Sequence, residues 1–506
     1  MVKLLDNFKK NYFIYLILTF AAILLSINLN KPFVGHHDWN GVFWGSLTRS
    51  YLNYFGVIDK TSEDYVSKVE LKGLYFQNYT PLLPLILSPA ASVIGVSELS
   101  LRFTPMIFSL IMVFFIFKIG QLLFDQKTAI LAAVFAILNP MFLYFGKLPD
   151  HEPIVVSLIV ITFYVFLKVV KEQRKLYPLF ILLLTLSLLE SWSAFFIIPP
   201  LIIFAKIVAK IETRKILIIA GVALAVVISH LTLLFLLKGP SSPINFLNQG
   251  LFRAGAVDNM TPAKFSLIEF LTTEARYSVI YFTRILLVLS LLWTGVFFSN
   301  MIRKKIQYQD WLLSILLIYP LSFLLVFRQL AFIHDYKLYH FLPFIAISSA
   351  HIFKEILRKI KDFIPKDKLF GASYLILNST LLIVTVGIVF TERLDFLNSL
   401  LKSKASMDGY ELGVLLRKFS KIDQRILVLS GQFGAHFGVF TNYYANRVID
   451  YNDFSLNGLL KSNNLNAYQY VVYIDGRDTL PEVNDYLRTN YTLVKIDKFN
   501  FYKINE

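Results

Sequence analysis

The chain has 506 residues, of which 56% are hydrophobic and 17% are charged, and its mean hydropathy is +0.58. A soluble globular protein has about a quarter charged residues and slightly under half apolar ones, so the composition excludes an ordinary water-soluble enzyme. Cysteine is absent, which excludes disulfide frameworks, thiolate catalysis and cysteine-ligated metal clusters. Apolar runs of about 18 to 25 residues recur along the chain and indicate a polytopic membrane protein.

The apolar runs predict a mainly α-helical fold with about eleven transmembrane helices. These spans are predicted at about residues 12–30, 99–124, 129–146, 153–170, 176–190, 194–211, 216–237, 277–300, 311–327, 340–354 and 369–391. Most of the runs are long enough to cross a hydrocarbon layer of about 30 Å as a helix. Residues 1–391 therefore form the predicted transmembrane domain, and residues 392–506 form a separate hydrophilic domain.

The net charge of +16 comes mainly from loops on one side of the predicted transmembrane domain. Lys3, Lys9 and Lys10 precede the first span, which predicts a cytoplasmic N-terminus by the positive-inside rule. Alternate loops counted from there collect about twenty-one Lys and Arg residues, whereas the short outer loops hold only Lys147, Arg328 and Lys337. The charge thus indicates topology in the plasma membrane and argues against a nucleic-acid partner. An odd number of spans places the C-terminal domain on the extracytoplasmic side.

Two long segments, residues 31–98 and 238–276, lie on the predicted outer side of the membrane. The first contains two stretches, at about 41–55 and 81–96, that we expect to form helices lying at or dipping into the interface. The second contains several Pro and Gly residues. That composition suits a mobile loop that covers a site, because loops of this length are usually functional or disordered.

The C-terminal segment at 392–506 has the composition of a soluble domain. Its predicted elements are, in chain order, a helix at 408–420, strands at 425–430 and 468–475, a helix at 481–489 and a strand at 491–496. The strands are rich in Val, Ile, Leu and Tyr, as buried strands are. Strands that alternate with helices predict a small α/β domain.

Acidic and imidazole side chains recur in four loops that the alternation places on the outer side. These loops contain residues 35–40, 147–153, 190–192 and 328–337. Carboxylates at span ends are costly near hydrocarbon and usually mark function when they converge. We therefore predict that the four loops share one site. The alternative is that each loop simply holds interfacial residues in water.

Four motifs follow one another in the first part of the chain. They are, in chain order, His37-Asp38-Trp39, Tyr79-Thr80-Pro81-Leu82, Gly95-Val96-Ser97-Glu98-Leu99-Ser100-Leu101-Arg102-Phe103-Thr104-Pro105 and Leu123-Phe124-Asp125. Their order and spacing resemble those of the superfamily C glycosyltransferases, which use lipid-linked sugars, and are similar to the branch that contains protein O-mannosyltransferases and the aminoarabinose transferase that modifies lipid A. The resemblance covers about residues 10–200.

The resemblance implies a membrane glycosyltransferase that takes a sugar from a polyprenyl-phosphate donor on the outer side, with inversion of the anomeric centre. It assigns the general base for the acceptor hydroxyl to Asp38, and the second acid to Asp150 or Glu152. Two positions differ from the family pattern. Trp39 stands where the family has a second acid, and Tyr79 stands near the place of a Lys, so the charge that binds phosphate must come from elsewhere.

Sugar transfer needs a carboxylate that takes the acceptor's proton and cations that hold the departing phosphate. We therefore predict Asp38 as the base, Asp150 and Glu152 as residues that orient hydroxyl groups, and Arg328 and Lys337 as the phosphate clamp. Further predicted substrate-binding residues are His37, Tyr79, Arg102, Lys147, Glu190 and His334, and Arg276 is a further candidate cation. The acceptor is a protein, a membrane lipid or a cell-surface glycan.

Two alternatives to this interpretation stay open at the level of sequence. His37, Asp150 and Glu152 could bind a divalent metal, since mixtures of His, Asp and Glu suit several metals. The metal is not required by the predicted chemistry. The whole chain could instead belong to another class, either a lipid or solute transporter or flippase without transferase activity or a structural or receptor-like protein with an outer α/β domain. Against a transporter, we find neither an inverted repeat nor charged pairs in the middle of spans.

Overall fold

The computed structural model of the chain is mainly helical. It describes residues 2–55, 78–171, 174–256, 265–363, 368–404, 407–421, 424–429, 434–446, 449–452, 465–474 and 481–504. The chain divides into two compact units. The first unit comprises Met1–Leu29, Tyr75–Leu83 and Arg102–Leu401, and the second comprises Asn30–Leu74, Pro84–Leu101 and Lys402–Glu506.

The α-helices up to residue 402 form most of the first unit. They are α1 (Val2–Ser26), α2 (Trp39–Tyr54), α3 (Leu82–Ile94), α4 (Glu98–Leu123), α5 (Gln126–Ile137), α6 (Pro140–Phe145), α7 (His151–Val170), α8 (Tyr177–Glu190), α9 (Ile198–Ile207), α10 (Thr213–Lys238), α11 (Ser241–Arg253), α12 (Leu267–Tyr281), α13 (Arg284–Ile302), α14 (Tyr308–Val326), α15 (Arg328–Ile333), α16 (Leu342–Phe363), α17 (Lys368–Thr391) and α18 (Leu394–Lys402). Short 3-10 helices lie at Arg174–Leu176, Trp192–Ile197 and Asp335–Phe341. The helices α2 and most of α3 belong to the second unit.

Among the described residues, five helices are long and apolar enough to cross a membrane. They are α4, α7, α10, α13 and α14, and each overlaps a predicted span. Shorter apolar helices lie at other predicted spans, including α5 and α8. The chain is therefore a membrane protein, as its composition predicted. The total of eleven spans stays a prediction.

Two predicted spans are wrong in detail because local signals break the helix. The span at 129–146 is divided into α5 and α6. The Asn139 side chain accepts the backbone N–H of Met141 at 3.0 Å, and Pro140 follows as the first residue of α6. An N-cap Asn followed by Pro starts a new helix. The span at 277–300 is interrupted where α12 ends and α13 begins.

The segment at 238–276, which is predicted to be a mobile loop over a site, contains helices. Its described residues form α11 and most of α12, while residues 257–264 lie outside the described part of the chain. Gly239 ends α10 with φ of 89°, and Gly255 follows α11 with φ of 74°. Glycine adopts these left-handed conformations without strain, so the two residues explain how the chain turns at both ends of α11.

The second unit contains a five-stranded sheet, which confirms the predicted α/β pattern of the C-terminal segment. The strands are β1 (Ile426–Leu429), β2 (Asp450–Asn452), β3 (Tyr470–Ile474), β4 (Thr492–Ile496) and β5 (Phe499–Lys503). Their order is β2-β1-β3-β5-β4. β1 pairs in parallel with β2 and β3, and β5 pairs antiparallel with β3 and β4. The sequence did not predict β2 and β5.

Helices cover both faces of this sheet, which accounts for the continuous apolar run of β1. The helices are α19 (Met407–Phe419), α20 (Gly434–Ala445) and α21 (Pro481–Asn490), and a 3-10 helix lies at Leu465–Ala467. Leu412 and Leu416 of α19 pack on one face with Val428. On the other face, Val483 and Leu487 of α21 pack with sheet residues such as Leu427. The predicted boundary at residues 391 and 392 stays a prediction.

Candidate active site

Asp150 begins α7 and places three titratable side chains in one buried turn of the first unit. Its carboxylate accepts the backbone N–H of His151 at 2.8 Å, as an N-cap residue does for the unpaired donors of the first turn. His151 and Glu152 follow as the first residues of the helix, and all three side chains are buried. Burial, and then repulsion from the Glu152 carboxylate, raise the pKa of Asp150 well above its usual range.

Lys337 forms a buried ion pair with Glu152. The ammonium of Lys337 contacts Glu152 Oε1 and lies 4.7 Å from the centre of the Tyr336 ring. Burial alone would lower the pKa of Lys337, but attraction to the Glu152 carboxylate outweighs it and the pKa is raised. The pair is therefore charged on both sides, and it joins the loop at 147–153 to the loop at 328–337.

Glu190, the last residue of α8, holds the imidazole of His151. The His151 Nδ1 and Glu190 Oε1 atoms are 3.0 Å apart, and Glu190 is fully buried. The Tyr79 ring stacks on the His151 ring, with 4.1 Å between the ring centres and an interplanar angle of 23°. A chain of three side chains thus runs from α8 through α7 to the segment that precedes α3.

The segment that carries Tyr79 is fixed by its neighbours on both sides. Trp192 donates its indole N–H to the carbonyl of Asn78 at 2.8 Å. The Thr80 hydroxyl donates to the carbonyl of Leu189. The two bonds run to the last turn of α8 and to the 3-10 helix that follows it, so these two elements hold the backbone on both sides of Tyr79.

Arg253 is a site residue that the sequence analysis missed. It is the last residue of α11, and its Nη1 atom lies 3.4 Å from the Tyr79 hydroxyl. The guanidinium carbon lies 5.7 Å from the centre of the Tyr79 ring. The available signal was an amphipathic stretch at 241–253 that ends in a cation. Tyr79, which stands near the place of the family's Lys, is therefore itself in contact with a cation.

A cavity of about 580 Å³ opens beside these residues in the first unit. Its wall is mostly apolar and aromatic, and it includes Trp192, Phe195, Phe196, Phe246, Leu247, Leu251, Phe323, Val326, Phe327 and Leu330. Tyr79, Arg253 and Lys337 also line it. The charge of Lys337 interacts with Tyr79, so Tyr79 is close to both cations. The cavity combines an apolar wall with one positively charged region.

Two predicted phosphate or substrate ligands are bound to backbone carbonyls instead. Lys147 donates to the carbonyls of Leu25, at 3.1 Å, and Ile27. Arg102 donates to the carbonyl of Leu29 at 3.1 Å and lies 3.4 Å from that of Asn28. These carbonyls lie at and just beyond the C-terminus of α1, where the last carbonyls lack helical partners and attract cations. Substrate binding by either residue stays a prediction.

Arg328 and His334 lie at opposite ends of α15 and are half-buried. Neither is among the residues that line the cavity. The His334 ring lies 5.2 Å from that of Tyr336. Of the two predicted phosphate cations, the structure thus places Lys337, and not Arg328, at the cavity.

Asp38 and His37 belong to the second unit. The Asp38 carboxylate is buried, and its Oδ2 atom accepts the backbone N–H of Gly35 at 2.7 Å. His37 has a left-handed backbone, with φ of 57°, and its ring packs on that of His36 with 4.1 Å between centres. Asp38 directly precedes α2. A buried carboxylate that one backbone donor orients is suited to accept a proton.

Three of the buried carboxyl groups of the first unit have different partners. Glu152 pairs with Lys337, Glu190 pairs with His151, and Asp150 caps α7. The Oε2 atoms of Glu152 and Glu190 have no hydrogen-bond partner among the described residues. Asp150 and Glu152 could therefore ligate a metal ion, as predicted, although Lys337 already balances one charge. Metal binding by these residues and His37 stays a prediction.

Comparisons with known families and solved structures confirm the resemblance seen in the sequence. Residues 78–232 match the family described as dolichyl-phosphate-mannose-protein mannosyltransferase. This segment carries Tyr79, Asp150, Glu152 and Glu190. No curated protein sequence matches the chain.

Two solved structures share this fold. One is ArnT from Cupriavidus metallidurans bound to undecaprenyl phosphate, with 10% identity, a TM-score of 0.65, and coverage of 97% of this chain and 98% of that one. The other is the oligosaccharyltransferase AglB from Archaeoglobus fulgidus in complex with an inhibitory peptide and a dolichol-phosphate. It has 12% identity, a TM-score of 0.56, and coverage of 92% of this chain and 70% of that one.

Proposed function

We propose that the protein is an integral membrane glycosyltransferase that moves a sugar from a polyprenyl-phosphate donor to an acceptor hydroxyl. The observation that carries the proposal is the cavity of the first unit, which joins an apolar wall to a region with two cations. A polyprenyl phosphate has the matching form, because an isoprenoid chain suits apolar surface and a phosphate suits Arg and Lys. The relatives named above were solved with undecaprenyl phosphate and a dolichol-phosphate, which supports this donor class.

In the proposed complex, Arg253 and Lys337 bind the phosphate of the donor. Arg253 can offer two parallel N–H groups to phosphate oxygens, whereas Lys337 offers a point charge. Lys337 would then be shared between the phosphate and Glu152. These two residues replace the Lys that the family pattern has near the position of Tyr79, and they supply positive charge without a metal ion.

The proposed transfer is a single displacement at the anomeric carbon. The acceptor oxygen forms a bond to this carbon while the bond to the phosphate oxygen breaks, and the phosphate leaves with the bonding electrons. Asp38 takes the proton of the acceptor hydroxyl. Attack from the face opposite the phosphate inverts the anomeric centre. The cations stabilise the charge that develops on the leaving group.

Asp150 and Glu152 orient hydroxyl groups of the donor or acceptor in this proposal. Because the pKa of Asp150 is raised, its carboxyl group stays protonated to a higher pH than an exposed Asp and can donate a hydrogen bond. Glu152, paired with Lys337, accepts hydrogen bonds. Asp150 would thus donate a hydrogen bond to the substrate, and Glu152 would accept one from it.

The proposed reaction takes place on the extracytoplasmic side of the plasma membrane, where the positive-inside rule places the acidic loops. The native chain has no cysteine, so a single introduced cysteine is its only thiol. The reaction of that thiol shows on which side of the membrane the residue lies. With a membrane-impermeant thiol reagent on intact cells, we expect Lys404→Cys to react and Lys304→Cys to react only after permeabilisation. Both residues are exposed. The reverse pattern would overturn the orientation.

The transferase proposal is tested with purified protein in liposomes that contain polyprenyl phosphates carrying labelled hexoses or pentoses. Protein, lipid and glycan acceptors are offered, and we expect label to move to one of them. Asp38→Asn should lower kcat by about 10²–10⁴-fold, the usual contribution of a general base. Asp395→Asn, at an exposed residue of α18, is the matched control. Movement of labelled lipid across the bilayer without transfer would instead support the flippase alternative.

Donor binding is tested separately with a labelled polyprenyl phosphate that carries no sugar. Arg253→Gln should weaken binding by about tenfold or more, because an Arg that holds a phosphate makes charge-assisted bonds. Arg276→Gln is the control, since Arg276 is exposed and is not among the residues that line the cavity. Equal binding by the two variants would remove Arg253 from the proposed donor site.

A further inference from the structure

The segment that carries Asp38 is anchored by residues of the C-terminal part of the second unit. The backbone N–H of Phe33 donates to the Tyr444 hydroxyl at 2.6 Å, and that of His36 donates to the Ser403 hydroxyl at 3.0 Å. The Lys31 ammonium donates to the carbonyl of Ser403 at 2.8 Å. Three contacts therefore tie residues 31–36 to parts of the chain that are about 370 to 410 positions away.

Gly35, which lies between the anchored residues Phe33 and His36, holds Asp38. Gly35 donates its backbone N–H to Asp38 Oδ2 at 2.7 Å, and its carbonyl accepts the N–H of Asp38 at 3.2 Å. Gly35 directly precedes His36 and is two residues from Phe33. The position of the Asp38 carboxylate thus depends on the path of residues 33–36, and that path is fixed by Tyr444 and Ser403.

Tyr444 is itself fixed from three directions. Its hydroxyl donates to Glu98 Oε1 at 2.8 Å while accepting from Phe33. Its ring meets that of Tyr410 edge-on, with 4.6 Å between centres. A Cβ atom on Gly413 would lie 2.6 Å from the Tyr444 Cβ atom, so α19 packs directly against this side chain. Burial raises the pKa of the Tyr444 phenol, which therefore keeps the proton that it donates.

Helix α2, which begins directly after Asp38, packs on α20, the helix that carries Tyr444. A Cβ atom on Gly45 of α2 would lie 2.8 Å from a ring carbon of Tyr443. Arg49 of α2 places its guanidinium 5.0 Å from the centre of the Tyr443 ring and contacts the Tyr443 carbonyl at 3.3 Å. Asp38 is thus bracketed by α20 contacts on both sides, from Tyr444 before it and Tyr443 after it.

We infer that the C-terminal α/β domain is a positioning part of the active site, and that Tyr444 of this domain places the Asp38 carboxylate by holding residues 33–36. The inference rests on the proposed function, in which Asp38 is the base. Tyr444 is a positioning residue, because it acts through the backbone and does not touch Asp38 in the chain of contacts described above.

Loss of the Tyr444 hydroxyl should slow the chemical step and leave donor binding unchanged. It frees the Phe33 N–H and lets residues 33–36 move, and a shift of about 1 Å in a catalytic group can cost about 10²-fold in rate. The donor cations Arg253 and Lys337 belong to the first unit and do not depend on this bond. The expected signature is a lower kcat with an unchanged KM for the donor.

The test compares Tyr444→Phe with Tyr410→Phe in the full-length protein. Each variant loses one phenolic hydroxyl from the same aromatic pair, but the Tyr410 hydroxyl makes no hydrogen bond among the described residues. We expect Tyr444→Phe to lower kcat by about tenfold, with the donor KM within twofold of the native value. Tyr410→Phe should match the native protein. Equal kcat values for the two variants would overturn the inference.

Two further variants separate positioning from general damage. Gly413→Ala should lower kcat in the same way, because the added methyl group displaces Tyr444 while its hydroxyl remains. Glu98→Gln keeps an acceptor oxygen for Tyr444 and should retain most of the activity. In an Asp38→Asn background, Tyr444→Phe should have no further effect on the residual rate, since residues that act as a unit are not additive. A full additional loss would show that Tyr444 acts elsewhere.

Hydrogen exchange of the backbone amides provides a readout that needs no activity. We expect Tyr444→Phe, and not Tyr410→Phe, to accelerate exchange in the peptide that contains residues 31–38. If the native protein transfers no sugar but the exchange difference is present, the proposed function fails and the anchoring by Tyr444 stands. If exchange is unchanged in Tyr444→Phe, the anchoring fails whatever the activity.

Discussion

The two units of the molecule each contain a Lys or Arg paired with a carboxylate, in opposite surroundings. In the first unit, the side chains of Lys337 and Glu152 are 5% and 3% exposed. In the second, Arg425 and Asp450 are 2.7 Å apart and their side chains are 57% and 43% exposed. Burial therefore sets the consequence of losing a partner, because a buried charge has no water to replace it.

The buried carboxylates of the two units differ in the groups that hold them. In the first unit, Glu152, Glu190 and Asp150 contact Lys337, His151 and the start of α7, so loss of a contact leaves a buried polar group without that partner. In the second unit, the Asp38 carboxylate accepts the backbone N–H of Gly35, and its position follows the chain path that Tyr444 fixes. The first unit thus holds a network that is sensitive to charge, and the second unit holds a carboxylate that is sensitive to position.

The largest expected effect comes from breaking the buried pair. Lys337→Met leaves Glu152 charged and unpaired, so it should destabilise the protein by about 3–5 kcal/mol and abolish transfer. Thermal unfolding in detergent measures the stability. Lys337→Arg is the control that keeps the charge and should unfold close to the native temperature.

A double variant sharpens this comparison further. Lys337→Met combined with Glu152→Gln removes both charges, so it should recover much of the lost stability, because the cost lies in the uncompensated charge. It should not recover transfer, since the phosphate cation is still missing. A Lys337→Met protein that unfolds at the native temperature would contradict the assignment of a buried ion pair.

The next largest effect tests the ring contacts of the first unit. His151→Ala removes the surface on which Tyr79 stacks and should raise the donor KM by about tenfold, because Tyr79 contacts Arg253; a tenfold change equals about 1.4 kcal/mol. His151→Phe keeps a flat ring and should give a smaller increase. Steady-state kinetics at varied donor concentration measures both. Similar KM values for the two variants would mean that stacking does not position Arg253.

Much of the fold could be predicted because its signals are local. The five long apolar helices follow from composition, and β1, β3 and β4 follow from runs of Val, Ile, Leu and Tyr. The break at Asn139 and Pro140 was also encoded locally, but the surrounding apolar residues concealed it. β2 has only three residues, too few for a pattern to appear.

The site was predictable where it consists of charged residues in loops at span ends, as at Asp150, Glu190 and Lys337. It was not predictable where the fold creates the partner. Arg253 lies 174 positions from Tyr79, and no local pattern links them. Lys147 contacts carbonyls at the end of α1. No local sequence pattern shows that α1 ends beside Lys147, so the sequence alone favoured substrate as the partner of this cation.

A third prediction concerns Glu274 of α12, a buried acid of the first unit. Burial, and then the nearby Asp335 carboxylate, raise the pKa of Glu274 to about 8, from an ordinary value of 4.5. The folded protein therefore binds the proton more tightly than the unfolded chain, and this contribution to stability is lost as the pH rises from 4.5 through about 8.

Glu274→Gln removes this titration and should flatten the dependence of stability on pH. We expect the variant to unfold a few degrees above the native protein at pH 9 and close to it at pH 5, as measured by thermal unfolding in detergent. Glu269→Gln, at an exposed residue of the same helix, is the control. A native unfolding temperature that is equal at the two pH values would contradict the prediction.

The smallest effect should come from the exposed pair of the second unit. Arg425→Ala is expected to cost at most about 1 kcal/mol, because water solvates both charges and salt screens them. Raising the salt concentration should reduce even this difference, whereas the cost of Lys337→Met should persist because burial shields that pair from salt. Thermal unfolding of both variants at low and high salt measures the contrast. Equal salt dependence would show that exposure does not separate the two pairs, and the comparison between the units would fail.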